Sequence, residues 1–284
     1  MKRIAFIILT IAVALSACTE RVDIELDDSF TRLVVDGVIT TDTGKHVVRL
    51  TETTSYYYNQ QPPAVSNAIV TLTDSESNQV QLTENRPGIY ETDLDFHAVA
   101  GRTYTLDIIL EEEINGFREY QAVTRVPDIY PIDSIGLAYR PDWGSQGFIE
   151  VQCYYQDPIE KNFYMFDIFK NGDHLTDTIT NRFVTDDEFY NGSYTNGIGV
   201  GWLNQGYERE RVSPGDTIVF RASSITEGYA NFIWTLQEET GFSTPLFSGP
   251  PANVKSNISN GAVGFFAANA VAYSSKVAQP ELFD

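Results

Sequence analysis

A mainly β fold follows from three features of the sequence. Short runs with period-two alternation recur from residue 30 onward, of which AIVTLTD (68–74) is the clearest. Turn-forming clusters punctuate them: TDTG (41–44), SESN (75–78) and the hairpin signal Asn115-Gly116. The 16 Tyr and 17 Phe add aromatic rings, which suit pleated surfaces and interfaces alike. The expected architecture is an N-terminal β-sandwich over 30–127, followed by a second β-rich domain over 128–284 with one packed helix and long loops.

In the first domain seven strands are expected, in FTRLVVDGVIT (30–40), KHVVRLTETTSYY (45–57), AIVTLTD (68–74), QVQLTE (79–84), PGIYETD (87–93), RTYTLDIILEE (102–112) and FREYQAVTRV (117–126). Seven short strands separated by turn residues suggest a sandwich. The seam is expected in VPDIYPIDSI (126–135), because Pro127 and Pro131 cannot sit in the middle of a sheet. Strands then resume in DSIGLAYR (133–140), GFIEVQCYYQD (147–157), NFYMFDIFKNG (162–172) and DTIVFRASSI (216–225), with a long loop over 181–215. A helix is expected over about 227–239, where Tyr229, Phe232, Ile233 and Leu236 form one apolar stripe. Trp234 falls off that stripe, and the tail QEET (237–240) is expected to face solvent. AVGFFAANAV (262–271) closes the fold as a last strand in which Gly264 admits a close neighbour.

Ahead of the folded region, Lys2 and Arg3 precede Ile4 to Leu15, which carry no charge, and Leu15-Ser16-Ala17-Cys18 follows. The apolar run is about 12 residues, short of the roughly 18–20 that span a bilayer, so 1–17 is expected to be a cleaved export signal. The stretch resembles the lipobox of bacterial lipoproteins, which implies that Cys18 carries lipid and that 18–29 is a lipidated acidic tether. Cys153 then has no partner for an intrachain disulfide. Its alternation with Val151 and Tyr155 predicts a buried structural thiol.

Charge narrows the partners. With 39 acidic and 19 basic residues the chain carries about −20, which repels nucleic acid and anionic headgroups. The sequence holds no HExxH, no Gly-x-Ser-x-Gly elbow, no Walker loop and no Rossmann fingerprint. His46, His97 and His174 lack metal-ligand spacing, and each carboxylate reads first as solvated surface. No catalytic residue and no cofactor is expected. Calcium alone has candidates, in Asp186, Asp187 and Glu188 and in the tether DIELDD (23–28), neither with EF-hand spacing.

The segment FYNGSYTNGIGVGWLNQGYERER (189–211) sets Phe189, Tyr190, Tyr194, Trp202 and Tyr207 on a glycine-rich polar backbone. Two expectations stand for it. The rings form a recognition surface for protein or sugar, since they bury area at low rotamer cost; or they fold back and cap the second domain's core.

The lipobox and acidic start, LVVDGVIT (33–40), PPAVSNAIVTLTD (62–74) with GIYET (88–92), GRTYTLDI (101–108), VPDIYPIDSI (126–135) and FSGPPANVKSNISNGAVGFFAANAV (247–271) together resemble the DUF4249 family, lipoproteins of Bacteroidetes. The first domain also resembles the carboxypeptidase regulatory-like β-sandwiches found at the front of TonB-dependent transporters. The family's genes often neighbour those of TonB-dependent receptors. The resemblance therefore implies a lipid-anchored protein of the outer membrane, with cell-surface display favoured over the periplasmic face. It further implies a non-catalytic accessory or binding role beside a TonB-dependent β-barrel receptor, for cargo that is a small molecule, glycan or peptide. A surface adhesin or structural lipoprotein is the alternative. An extracellular hydrolase, more remote, would need two converging carboxylates, or a carboxylate and a histidine, in a cleft.

Overall fold

A computed structural model describes residues 31–54, 61–240 and 254–283. The export signal, Cys18 and the acidic tether lie outside the described residues, as does the segment 55–60. Among the described residues no helix is long and apolar enough to cross a membrane.

The N-terminal half forms eight strands: β1 (Leu33–Thr40), β2 (Val47–Glu52), β3 (Ile69–Asp74), β4 (Gln79–Gln81), β5 (Thr83–Arg86), β6 (Ile89–Glu91), β7 (Thr103–Ile114) and β8 (Phe117–Arg125). Alternation drives them. In β1, Leu33, Val35 and Ile39 are fully buried while Asp36 is exposed. Asn115 and Gly116 both take positive φ, 51° and 80°, as the tight turn between β7 and β8 requires. QVQLTE splits where a single strand was expected. Leu82 is buried and its N–H bonds the carbonyl of Val70, so the chain leaves β3 there and β5 pairs with β6 instead.

The second half adds β9 (Ser134–Arg140), β10 (Phe148–Tyr154), β11 (Phe163–Lys170), β12 (Asp173–His174), β13 (Phe183–Asp186), β14 (Ile198–Asn204), β15 (Thr217–Ile225), helix α1 (Glu227–Thr240) and β16 (Val263–Val277). The expected loop over 181–215 thus contains two strands, β13 on β11 and β14 on β10. Both are short edge strands, and glycines interrupt the apolar pattern of β14. The final strand runs to Val277, beyond the expected 271, because its second half pairs antiparallel with β15.

One sheet backs both halves. Its order is β12-β11-β15-β16-β1-β2-β6-β5, with β13 also on β11. The sheet β4-β3-β7-β8 belongs to the N-terminal half and the sheet β14-β10-β9 to the C-terminal half. β16 joins the halves: Val263–Asn269 lie parallel to β1, and Ala270–Val277 antiparallel to β15. The backing sheet and the first core, which takes Phe266 from β16, both run across residue 127, and the described residues from Thr31 on belong to one compact unit. One core gathers Val35, Leu50, Leu72, Leu106 and Phe266, and another gathers Ile149, Val151, Ile168, Phe220 and Leu203. A third, with Met165, Ile225, Phe265 and Ile233, lies under α1.

Two glycines are fixed by close approach. Gly264 has φ 93°, and a Cβ there would stand 2.0 Å from the carbonyl oxygen of Val35, its partner across the parallel pairing. A Cβ on Gly201 would lie 2.1 Å from Cδ1 of Ile168, where β14 crosses the face of β11.

Helix α1 starts at Thr226, whose hydroxyl accepts the N–H of Tyr229, and Glu227 favours the positive end of the helix dipole. Tyr229 and Ile233 of the expected stripe are buried, while Phe232 and Leu236 are half-buried. Two details differ from the stripe. Trp234 donates to the carbonyl of Val184 and packs edge-on against Phe163, and Gln237 donates to the carbonyls of Ile179 and Arg182. The segment 179–184 lies along that flank, which a helical wheel alone does not contain.

Candidate functional site

The five aromatic residues of the 189–211 segment do not converge. Tyr194 bridges to Gln156 beyond one end of the β10–β14 pair, and Tyr207 follows Asn204 at the other. Phe189 is 96% exposed and Tyr207 64%. Tyr190 turns inward onto the second core, edge-on to Tyr155. Burial pushes its hydroxyl pKa up. Trp202 is partly exposed and edge-on to Phe183, which itself stacks on Phe166. Tyr190 thus caps the second core, while Phe189, Tyr194 and Tyr207 are exposed at separate places.

The consecutive acidic residues also separate. Asp186 pairs with Lys161 at 3.3 Å, Glu188 is exposed, and Asp187 is fully buried. Asp187 accepts the N–H of Asn162 through Oδ2, while its Oδ1 has no hydrogen-bond partner. Near it lies Asp157, also buried, which accepts the hydroxyls of Tyr164 and Tyr155 at 2.9 and 3.3 Å and the N–H of Gly192 at 3.1 Å. Burial raises the pKa of Asp157, and Asp187 adds to this against the opposing hydrogen bonds. Among the described residues no group of three or more His, Cys, Asp or Glu side chains is placed to hold a metal.

A second polar cluster crosses the backing sheet. Asp167, Arg221 and Tyr273 occupy facing positions on β11, β15 and β16. Arg221 donates to Asp167 Oδ2 through Nε at 3.1 Å and Nη2 at 2.7 Å. On Oδ1, His174 Nε2 lies at 2.9 Å and the Thr176 hydroxyl at 3.2 Å. The same nitrogen of His174 faces both Asp167 and Thr176, so it cannot bridge an acid to a nucleophile as a triad histidine does. The arrangement ties strands together. Cys153 is likewise structural in its surroundings, buried with a thiol that burial raises to about 12.

Concavity and chemistry meet in a different place. Between α1 and the β1–β16 face lies a cavity of about 570 Å³, lined by Val34, Val38, Phe232, Leu236, Val263 and Phe265 among others, in the size range of small-molecule sites. Tyr229, Phe232 and Phe265 form an aromatic corner, with ring centroids 5.0–6.3 Å apart. Polar groups are few: Arg32, Asp36, Arg182 and the Tyr229 hydroxyl. Burial raises the pKa of Tyr229, while the neighbouring Arg182 works against the shift.

The stripe Tyr229, Phe232, Ile233 and Leu236 was legible in the sequence as a packing face. All four line the cavity, Tyr229 and Ile233 from buried positions and Phe232 and Leu236 from half-buried ones. Arg182 had a weaker signal, as the sole basic residue in LTDTITNRFVTDD (175–187). Nothing local marks Arg32, which reaches the site because β1 lies beside β16.

A family model described as "Domain of unknown function (DUF4249)" matches residues 19–275. No curated protein matches the sequence. Among solved structures, a two fibronectin type-III domain segment from chicken tenascin is similar at 11% identity and a TM-score of 0.20, covering 68% of this chain and 90% of that one. A proposed carbohydrate binding protein from Bacteroides uniformis is similar at 12% identity and a TM-score of 0.19, covering 68% and 88%. Likeness at this level bears on neither fold nor function.

Proposed function

The chain belongs to the DUF4249 family, and we propose that it is a lipid-anchored outer-membrane protein that binds cargo for a TonB-dependent β-barrel receptor, without catalysis of its own. The observation that carries the binding role is the cavity under α1, a concave apolar site with few polar groups. The anchor rests on the Lys2-Arg3 start, the uncharged run and the lipobox-like Leu15-Ser16-Ala17-Cys18. An acidic surface suits a domain held off an anionic membrane by an acidic tether. Surface display and a barrel partner come from the resemblance alone.

The anchor is tested by Cys18→Ala in the native membrane. The variant should leave the membrane fraction and fail to take up labelled palmitate; an equally membrane-bound variant contradicts the anchor. A second reading, a surface adhesin, is favoured by the exposure of Phe189, Tyr194 and Tyr207. It requires that replacing these three by Ala reduce attachment to a matrix while leaving barrel capture unchanged.

A further inference from the structure

We propose that the cavity under α1 takes an apolar carboxylate, with the guanidinium of Arg182 receiving the head group. This deepens the binding role proposed above and rests on it. The walls are aliphatic and aromatic, so the body of the ligand is apolar. The charge of the head follows from Arg182. Among the described residues it makes no ion pair; its Nε, which has no hydrogen-bond partner, is itself fully covered, so the terminal nitrogens of the guanidinium are the ones that receive the head group. The partners it does have are neutral, with Nη1 4.0 Å from Met165 Sδ and the Tyr229 hydroxyl beside it, and Asp36 lines the same cavity without an ion pair to it.

A guanidinium left this way in a chain of 39 acidic residues lacks an anion. A carboxylate is the acceptor that matches its fork of donors. Arg182 and Arg32 against Asp36 leave the cavity one net positive charge, which calls for a single negative charge. A dianionic phosphate would bring excess charge into the cavity, beside Asp36. Arg32, exposed at the same cavity, adds a second positive charge that favours entry of an anion.

The test uses the full chain in amphipol, titrated calorimetrically with octanoate and with octanol, for the wild type and for Arg182→Gln. Wild type should bind octanoate at least about tenfold more tightly than octanol, the scale of one charge-assisted hydrogen bond. Arg182→Gln should abolish that preference, with the loss of affinity at least about tenfold larger for octanoate than for octanol. Arg182→Lys, which keeps the charge and loses the fork, should retain part of it; thermal melting checks that each variant folds. Equal binding of the two probes to wild type, binding of neither, or a preference that survives Arg182→Gln would each overturn the proposal. Barrel capture is assayed without either probe. Lost capture with intact octanoate binding therefore sinks the proposed receptor partnership alone, and intact capture without octanoate binding sinks the ligand class alone.

Discussion

Replacing Arg221 by Met probes the polar cluster on the backing sheet. Asp167 is 0% exposed, and its carboxylate holds four contacts of 2.7–3.2 Å, two of them from Arg221. Removing the guanidinium leaves a buried carboxylate facing only His174 and Thr176. Breaking a buried pair this way costs about 3–5 kcal/mol, because the remaining charge is neither solvated nor paired. Against a total stability of about 5–15 kcal/mol that is a large share. With a urea slope near 3 kcal/mol/M for a chain of this size, the unfolding midpoint should fall by about 1–2 M. Replacing both partners, Asp167→Leu with Arg221→Met, should recover most of the loss, since no charge is stranded. Full recovery is not expected: Arg221 also lies over the Phe169 ring, 5.3 Å from its centroid. The assay is equilibrium urea unfolding followed by tryptophan fluorescence. A single-variant loss below about 1 kcal/mol, the scale of an exposed pair, would refute the reasoning.

Other changes follow from the same geometry. Asp157 has a raised pKa in the folded chain, so its favourable contribution is full below the unfolded value near pH 3.9 and is lost as pH rises through the raised value. Asp157→Asn should therefore flatten the stability profile above about pH 4 and be neutral or stabilising at pH 7.5 in urea unfolding; a variant that loses more stability at pH 7.5 than at pH 4.5 contradicts this. Gly201→Ala should cost about 1–3 kcal/mol, because its Cβ meets Ile168, and Ile168→Val should restore part of that in thermal melts. Cys153 should resist maleimide in the native protein and react on unfolding, as a buried thiol with a pKa near 12 must. Fast labelling of Cys153 under native conditions would show that the second core opens.

The sequence was most legible where one face of an element is wet. The β3–β7 pair and the Asn115-Gly116 turn lie where alternation and turn chemistry put them, since local pattern and burial agree there. It was least legible in β13 and β14. Gly199 and Gly201 sit in β14 for close approach, and the Val151/Gln152 bulge breaks the period. The parallel pairing of β1 with β16 joins residues more than 220 apart and has no local signature. The cavity follows from that pairing. Phe232 and Leu236 carry the same helical period as Ile233, yet only Ile233 is completely covered, because coverage depends on β1, β16 and Arg182 arriving from three distant parts of the chain.

The proposed role beside a TonB-dependent receptor is tested most directly by extracting the full chain from the membranes of its native cell in mild detergent through a C-terminal tag, followed by mass spectrometry of what accompanies it. A β-barrel receptor recovered in near-stoichiometric amount is the predicted result. A chain that comes out of the membrane alone would contradict the proposed receptor partnership and leave an independent surface binder.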